Sequence, residues 1–97
     1  MLLMTLISAT LAVAQPAPAL DASARLSQPR AVSQLLDGRR WTCDADGTCL
    51  ARGTGASQPV LRECRRFVAR FGAVSRYARD GVPLTEAQLA RCNAAAN

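Results

Sequence analysis

Hydrophobic and polar positions change their rhythm several times along the chain. MLLMTLISATLAVA, residues 1–14, is apolar or small apart from threonine and serine, carries no charge, and closes on Ala12-Val13-Ala14 before Gln15. A run this short with a small-x-small ending predicts an export signal cut after Ala14. A bilayer span needs about 20 apolar residues. No lysine or arginine stands near Met1, so the positive end of that signal rests on the amino terminus alone. Residues 15–38 mix Ala, Pro, Ser and Gln with no clear period, and Pro16, Pro18 and Pro29 interrupt any element that includes them. This stretch reads as an Ala/Pro/Ser-rich tether, with a short helical turn over residues 31–36 that ends at Asp37-Gly38.

From Arg39 the pattern sharpens, and the folded domain is placed at residues 39–97. Residues 39–43 and 48–53 flank Asp44-Ala45-Asp46-Gly47, a turn-forming run that predicts a β-hairpin. If Cys43 faces Cys49, then Trp41 faces Ala51, and the two-residue period puts all four on one inward face. The same register sets Arg40 opposite Arg52 on the other face, a like-charge pair suited to solvent.

PVLRECRRFVARFG follows, with Val60, Leu61, Cys64, Phe67, Val68 and Phe71 recurring three and four residues apart while Arg62, Arg65, Arg66 and Arg70 fill the opposite side. That is an amphipathic helix, with Ser57 as its expected N-cap, Pro59 in the first turn and Gly72 at its end. Residues 74–78 have the length of a short strand, with Val74 or Tyr77 inward, before the Asp80-Gly81 turn. At Thr85 two signals coincide: Gln88 three residues on completes a capping box, and Leu84 with Leu89 forms a hydrophobic staple. The helix they start carries Leu89, Cys92 and Ala96 on one stripe, with Arg91 near its C-terminal end. The expected architecture is a small α+β domain: hairpin, helix, short strand, C-terminal helix.

Composition narrows the chemistry. Of 97 residues 49% are apolar, but only 4% are aromatic and much of the remainder is alanine, so the core is thin. Domains of this size gain only about 3–5 kcal/mol from burial and usually add a staple. Four cysteines supply it, and in an exported chain they read as two disulfides. Of the three pairings open to them, Cys43–Cys49 clasps the hairpin and Cys64–Cys92 ties the inward faces of the two helices. The chain-entropy model gives roughly 2 kcal/mol for the first and roughly 3–4 kcal/mol for the second.

The cysteine spacing lacks the close pairs of a zinc site and the CxxC of a redox site. Asp44, Asp46 and Thr48 have a calcium-loop flavour, but the glycine falls one position early and no glutamate closes the loop. No metal or other cofactor is expected. Histidine is absent, which removes imidazole-dependent triads and the usual proton carrier near neutral pH. Glu63 and Glu86 sit at helix starts, where they complement the macrodipole.

All 12 basic residues are arginine against seven acids, a formal net charge of +5. Such a balance attracts anionic partners, and Arg62, Arg65, Arg66 and Arg70 form the candidate anion-binding face, since guanidinium groups grip phosphate or carboxylate in bidentate fashion. No nucleic-acid module or aromatic interleaving accompanies them, so nucleic acid is not the expected partner.

The pattern W-x-C, C, then PVLRECRRFVARFG and LARCN resembles small exported proteins of proteobacterial genomes that form uncharacterised families; the likeness runs from Trp41 to Asn93. It implies a signal peptide and a short cysteine-containing domain and carries no activity. The expected function is a periplasmic or secreted, non-enzymatic interaction module of the cell envelope. Its partner would be an anionic envelope component or a periplasmic protein, and its mature form would have no transmembrane segment. Two alternatives remain open: an inhibitor of a secreted hydrolase inserting the Asp44–Thr48 tip, and a very small hydrolase using paired carboxylates.

Overall fold

The computed structural model describes residues 21–52 and 58–96. A six-stranded antiparallel sheet carries two helices. In chain order the elements are β1 (Ala22–Leu26), β2 (Val32–Leu36), β3 (Arg39–Cys43), β4 (Thr48–Arg52), α1 (Val60–Phe71), β5 (Val74–Arg79), β6 (Val82–Pro83) and α2 (Glu86–Asn93). Across the sheet the order is β2-β3-β4-β1-β5-β6. The α+β class and both disulfides, Cys43–Cys49 and Cys64–Cys92, are as the sequence predicts.

The tether over residues 15–38 is corrected for the part described. Residues 22–26 are the central strand β1, hydrogen-bonded to β4 on one side and to β5 on the other. The expected helical turn at residues 31–36 is the edge strand β2, paired with β3, so the folded domain includes at least residues 22–38 as well. Ala22, Ala24 and Leu26 are all buried, a two-residue period hidden by the weak strand preference of alanine. These side chains belong to the same core cluster as the Phe67 and Phe71 rings of α1. Pro29 falls in the connection between the two strands, where it removes no ladder hydrogen bond. Asp37-Gly38, with φ of 51° and 84°, joins β2 to β3, and Asp80-Gly81, at 55° and 82°, joins β5 to β6. Both are Asp-Gly turns with positive φ at each residue, the geometry that two-residue hairpins require.

The β3–β4 hairpin holds the expected register, with Cys43 opposite Cys49, Trp41 opposite Ala51 and Arg40 opposite Arg52. The inward face therefore carries Arg39, Trp41, Cys43, Cys49 and Ala51, all buried. Helix α1 covers it with Cys64, Phe67, Val68 and Phe71. The chain's four aromatic residues form one cluster, with Trp41 and Phe67 ring centres 4.5 Å apart, Phe67 and Phe71 at 4.6 Å, and Tyr77 at 5.8 Å from Phe67. Pro59, not Ser57, is the N-cap of α1; the expected cap Ser57 and the expected signal over residues 1–14 lie outside the described residues.

Strand β5 buries both Val74 and Tyr77, which a strict two-residue period does not permit; a register shift beside it, between Arg25 and Leu26 on β1, accommodates the change. Helix α2 starts at the predicted capping box, the Thr85 hydroxyl accepting from the Gln88 N–H and the Gln88 side-chain oxygen Oε1 from the Thr85 N–H. Its last residue, Asn93, accepts from the Val74 N–H at 2.9 Å and donates to the Val74 carbonyl at 2.8 Å, so one amide side chain satisfies both backbone groups at the start of β5.

Candidate anion-binding site

All four predicted arginines project from α1 into solvent. Arg62, Arg65, Arg66 and Arg70, together with Leu36 and Ala69, line a depression of about 320 Å³. They converge because residues three and four apart lie on one helix face, while the buried stripe of the same helix fixes its rotation.

Their partners differ. Arg66 Nε lies 2.7 Å from Asp37 Oδ2, and Gln58 Nε2 donates to the same oxygen at 3.4 Å. The hydrogen bond from Arg66 holds the Asp37 carboxyl below its ordinary range, against a smaller opposing effect of partial burial. Arg65 Nη1 donates to the Arg91 carbonyl at 2.8 Å, so one α1 arginine also caps the C-terminal turn of α2. Arg62 and Arg70 make no hydrogen bond or ion pair with the described residues. The depression thus has two guanidinium groups with hydrogen-bond partners among the described residues and two without, and the Asp37 carboxylate attracts Arg62 as well as Arg66.

Glu63, one residue beyond Arg62, is in the first turn of α1 as expected, but it points the other way and is only 2% exposed. Its Oε2 lies 2.6 Å from Arg39 Nε and its Oε1 3.2 Å from Arg79 Nη1, which also donates to the Gln58 carbonyl at 2.7 Å. Both carboxylate oxygens are therefore engaged in charge-assisted bonds. The sequence signal was available: Arg39 is two residues from Trp41 and shares its inward face. Beside this triad sits the Tyr77 hydroxyl, buried and without a hydrogen-bond partner among the described residues. Burial, with Glu63 second, pushes its ionisation far above the usual phenol range.

The hairpin turn at Asp44–Thr48 is closed by several local bonds: Gly47 N–H to the Asp44 carbonyl at 2.9 Å, Asp44 N–H to the Thr48 carbonyl at 2.9 Å, and Thr48 N–H to Asp46 Oδ1 at 2.9 Å. The hydrogen bond from Thr48 lowers the Asp46 carboxyl below its ordinary range. Gly47, at φ +90°, is buried, and a Cβ on it would come within 3.2 Å of the Leu26 carbonyl oxygen and of Pro29 Cβ. The turn is packed against the β1–β2 connection, leaving Ala45 and Asp46 as its outward tip. No cluster of three or more metal-ligating side chains occurs among the described residues. Among surface depressions lined by described residues, one contains the carboxylate of Asp44 and another that of Asp80. No helix among the described residues is long and apolar enough to cross a membrane.

A second set of arginines escaped the sequence reading except for one pair. Arg25, Arg40, Arg52 and Arg76 all stand on the sheet face turned away from the helices.

Residues 5–94 match the model of a family described as a family of unknown function (DUF8200). The chain belongs to that family. No curated protein and no solved structure is significantly similar to the chain. The match covers the sheet, both helices and all four cysteines, and runs upstream of them to residue 5.

Proposed function

We propose that the protein is a non-enzymatic binding module, exported to the periplasm or beyond, that engages an anionic component of the cell envelope through α1. One observation carries this reading: Arg62, Arg65, Arg66 and Arg70 line a single depression, and two of them, Arg62 and Arg70, make no hydrogen bond or ion pair with the described residues. Guanidinium groups held by a helix that is itself tied by a disulfide lose little freedom on binding, which favours bidentate capture of phosphate or carboxylate. Export is supported by the apolar residues 1–14 with their small-x-small ending. It is also supported by two disulfides, which form and persist in oxidising compartments.

The experiment is capture from periplasmic extract with the mature, oxidised protein, alongside a variant carrying Arg62→Gln and Arg70→Gln. Co-sedimentation with envelope material that is lost in high salt and weakened in the variant supports the reading. Capture that is identical for the two proteins removes α1 from the interface, and one stoichiometric protein partner held through the Ala45-Asp46 tip would replace the reading by that of a hydrolase inhibitor.

A further inference from the structure

The sheet has one face under helices and one turned away from them, on which Arg25, Arg40, Arg52, Arg76, Leu35 and Leu50 are exposed while Ala78, at 3%, is buried and Ser23 half-buried. On this second face the register builds three rows. Leu35, Arg40 and Arg52 form the first, Ser33, Thr42, Leu50, Ser23 and Ala78 the second, and Thr48, Arg25 and Arg76 the third. Two of these rows oppose arginine directly with arginine, Arg40 with Arg52 and Arg25 with Arg76. Like charges in that relation destabilise a sheet, and the fold repeats the arrangement at both ends of the face. Thr48 and Arg52 are four residues apart on β4, which separates the two rungs by about 13 Å. Between them Leu50 is 41% exposed, and Leu35 beside Arg40 is 59% exposed. Arg40, Arg52, Thr42, Thr48 and Leu50 line a depression of about 410 Å³ whose one carboxylate is Asp44.

Four exposed cations with the exposed aliphatic side chains Leu35 and Leu50 among them match one kind of partner. We propose that this face docks on an anionic phospholipid surface, Arg25, Arg40, Arg52 and Arg76 meeting headgroup phosphates while Leu35 and Leu50 enter the interface. A soluble acidic polymer satisfies the charges but leaves the leucines in water, whereas a bilayer surface takes both. The arginines supply bidentate donors for phosphate, and their mutual repulsion is relieved once counter-charges lie between them. This surface is on the side of the sheet away from α1, so it stands or falls separately from the α1 site.

The test uses the full mature protein with its disulfides intact and sedimentation with vesicles at low salt. Binding is expected to vesicles of equimolar phosphatidylglycerol and phosphatidylethanolamine and not to phosphatidylcholine alone. Replacing either rung, R40Q with R52Q or R25Q with R76Q, is expected to weaken vesicle binding about 25-fold, roughly fivefold per arginine. The same variants should melt at or above the wild-type temperature, because an opposed pair of charges has gone. L35S with L50S should weaken vesicle binding and leave binding to dextran sulfate unchanged. R62Q with R70Q, on α1, should lose less vesicle binding than either rung variant. The proposal is overturned if the rung variants bind anionic vesicles as wild type does, if the α1 variant loses as much vesicle binding as they do, or if the leucine variant keeps full vesicle affinity, which would make the face a binder of soluble polyanions.

Discussion

Glu63 and Tyr77 show how a single side chain is governed by its surroundings. Glu63 lies between Arg39 and Arg79 in the interior, where a carboxylate is tolerated only because both oxygens are bonded to cations. Glu63→Ala strips Arg39 Nε of that carboxylate, and urea unfolding is expected to show a loss of about 3–5 kcal/mol. A loss under about 1 kcal/mol would mean that water reaches the triad. Tyr77 carries the opposite imbalance, with a well-packed ring and a hydroxyl that has no partner among the described residues. Tyr77→Phe keeps the ring and deletes the desolvated group, so stability should hold or rise by about 1 kcal/mol. A marked fall on thermal melting would reveal a hydrogen bond to the hydroxyl.

At the scale of elements, the turn between β2 and β3 is tied to α1 through Asp37 and Arg66. Because the folded carboxyl is held below its ordinary value of 3.8, the unfolded chain binds the proton more readily. The contribution of the pair is therefore fully present above about pH 3.8 and disappears as pH falls through the lower folded value. Carbon-detected NMR titration should place the Asp37 midpoint below 3.8 in the native protein and move it up in Arg66→Gln. A native midpoint at or above the ordinary value would show that the pair does not form in solution.

Element by element, the sequence was legible wherever the signal was local. The β3–β4 register, the amphipathic face of α1 and the capping box of α2 each depend on residues a few positions apart, and each is present. Strands β1 and β2 were not legible, because ASARL and VSQLL have weak strand preference and gain their stability from partners far along the chain. β1 exists as a strand because β4 and β5 bracket it. The same holds for the candidate sites: the α1 arginines share a helix and could be read together, whereas Arg25 and Arg76 meet only across the β1–β5 pairing.

For the whole molecule, stability rests on one aromatic cluster and two covalent ties. Cys64–Cys92 joins α1 to α2 across 28 residues of sequence, and replacing both cysteines by serine should cost about 3–4 kcal/mol in the chain-entropy account. For a domain of this length that lowers the melting temperature by roughly 15–30 °C. Scanning calorimetry of the variant, or of the wild type in strong reductant, checks it; an unchanged melting point would show that the core suffices without the tie.

The sequence by itself determined the α+β class, the hairpin register, the two helices and the cysteine pairing, because period, turn chemistry and capping act over short stretches of chain. Only the tertiary structure decided that residues 22–26 and 32–36 form strands, that Glu63 is buried between two arginines, and that four arginines gather on the sheet face turned away from the helices. Those outcomes depend on which distant segments lie side by side, and strand pairing across the chain carries too little local signature to be read before the sheet is assembled.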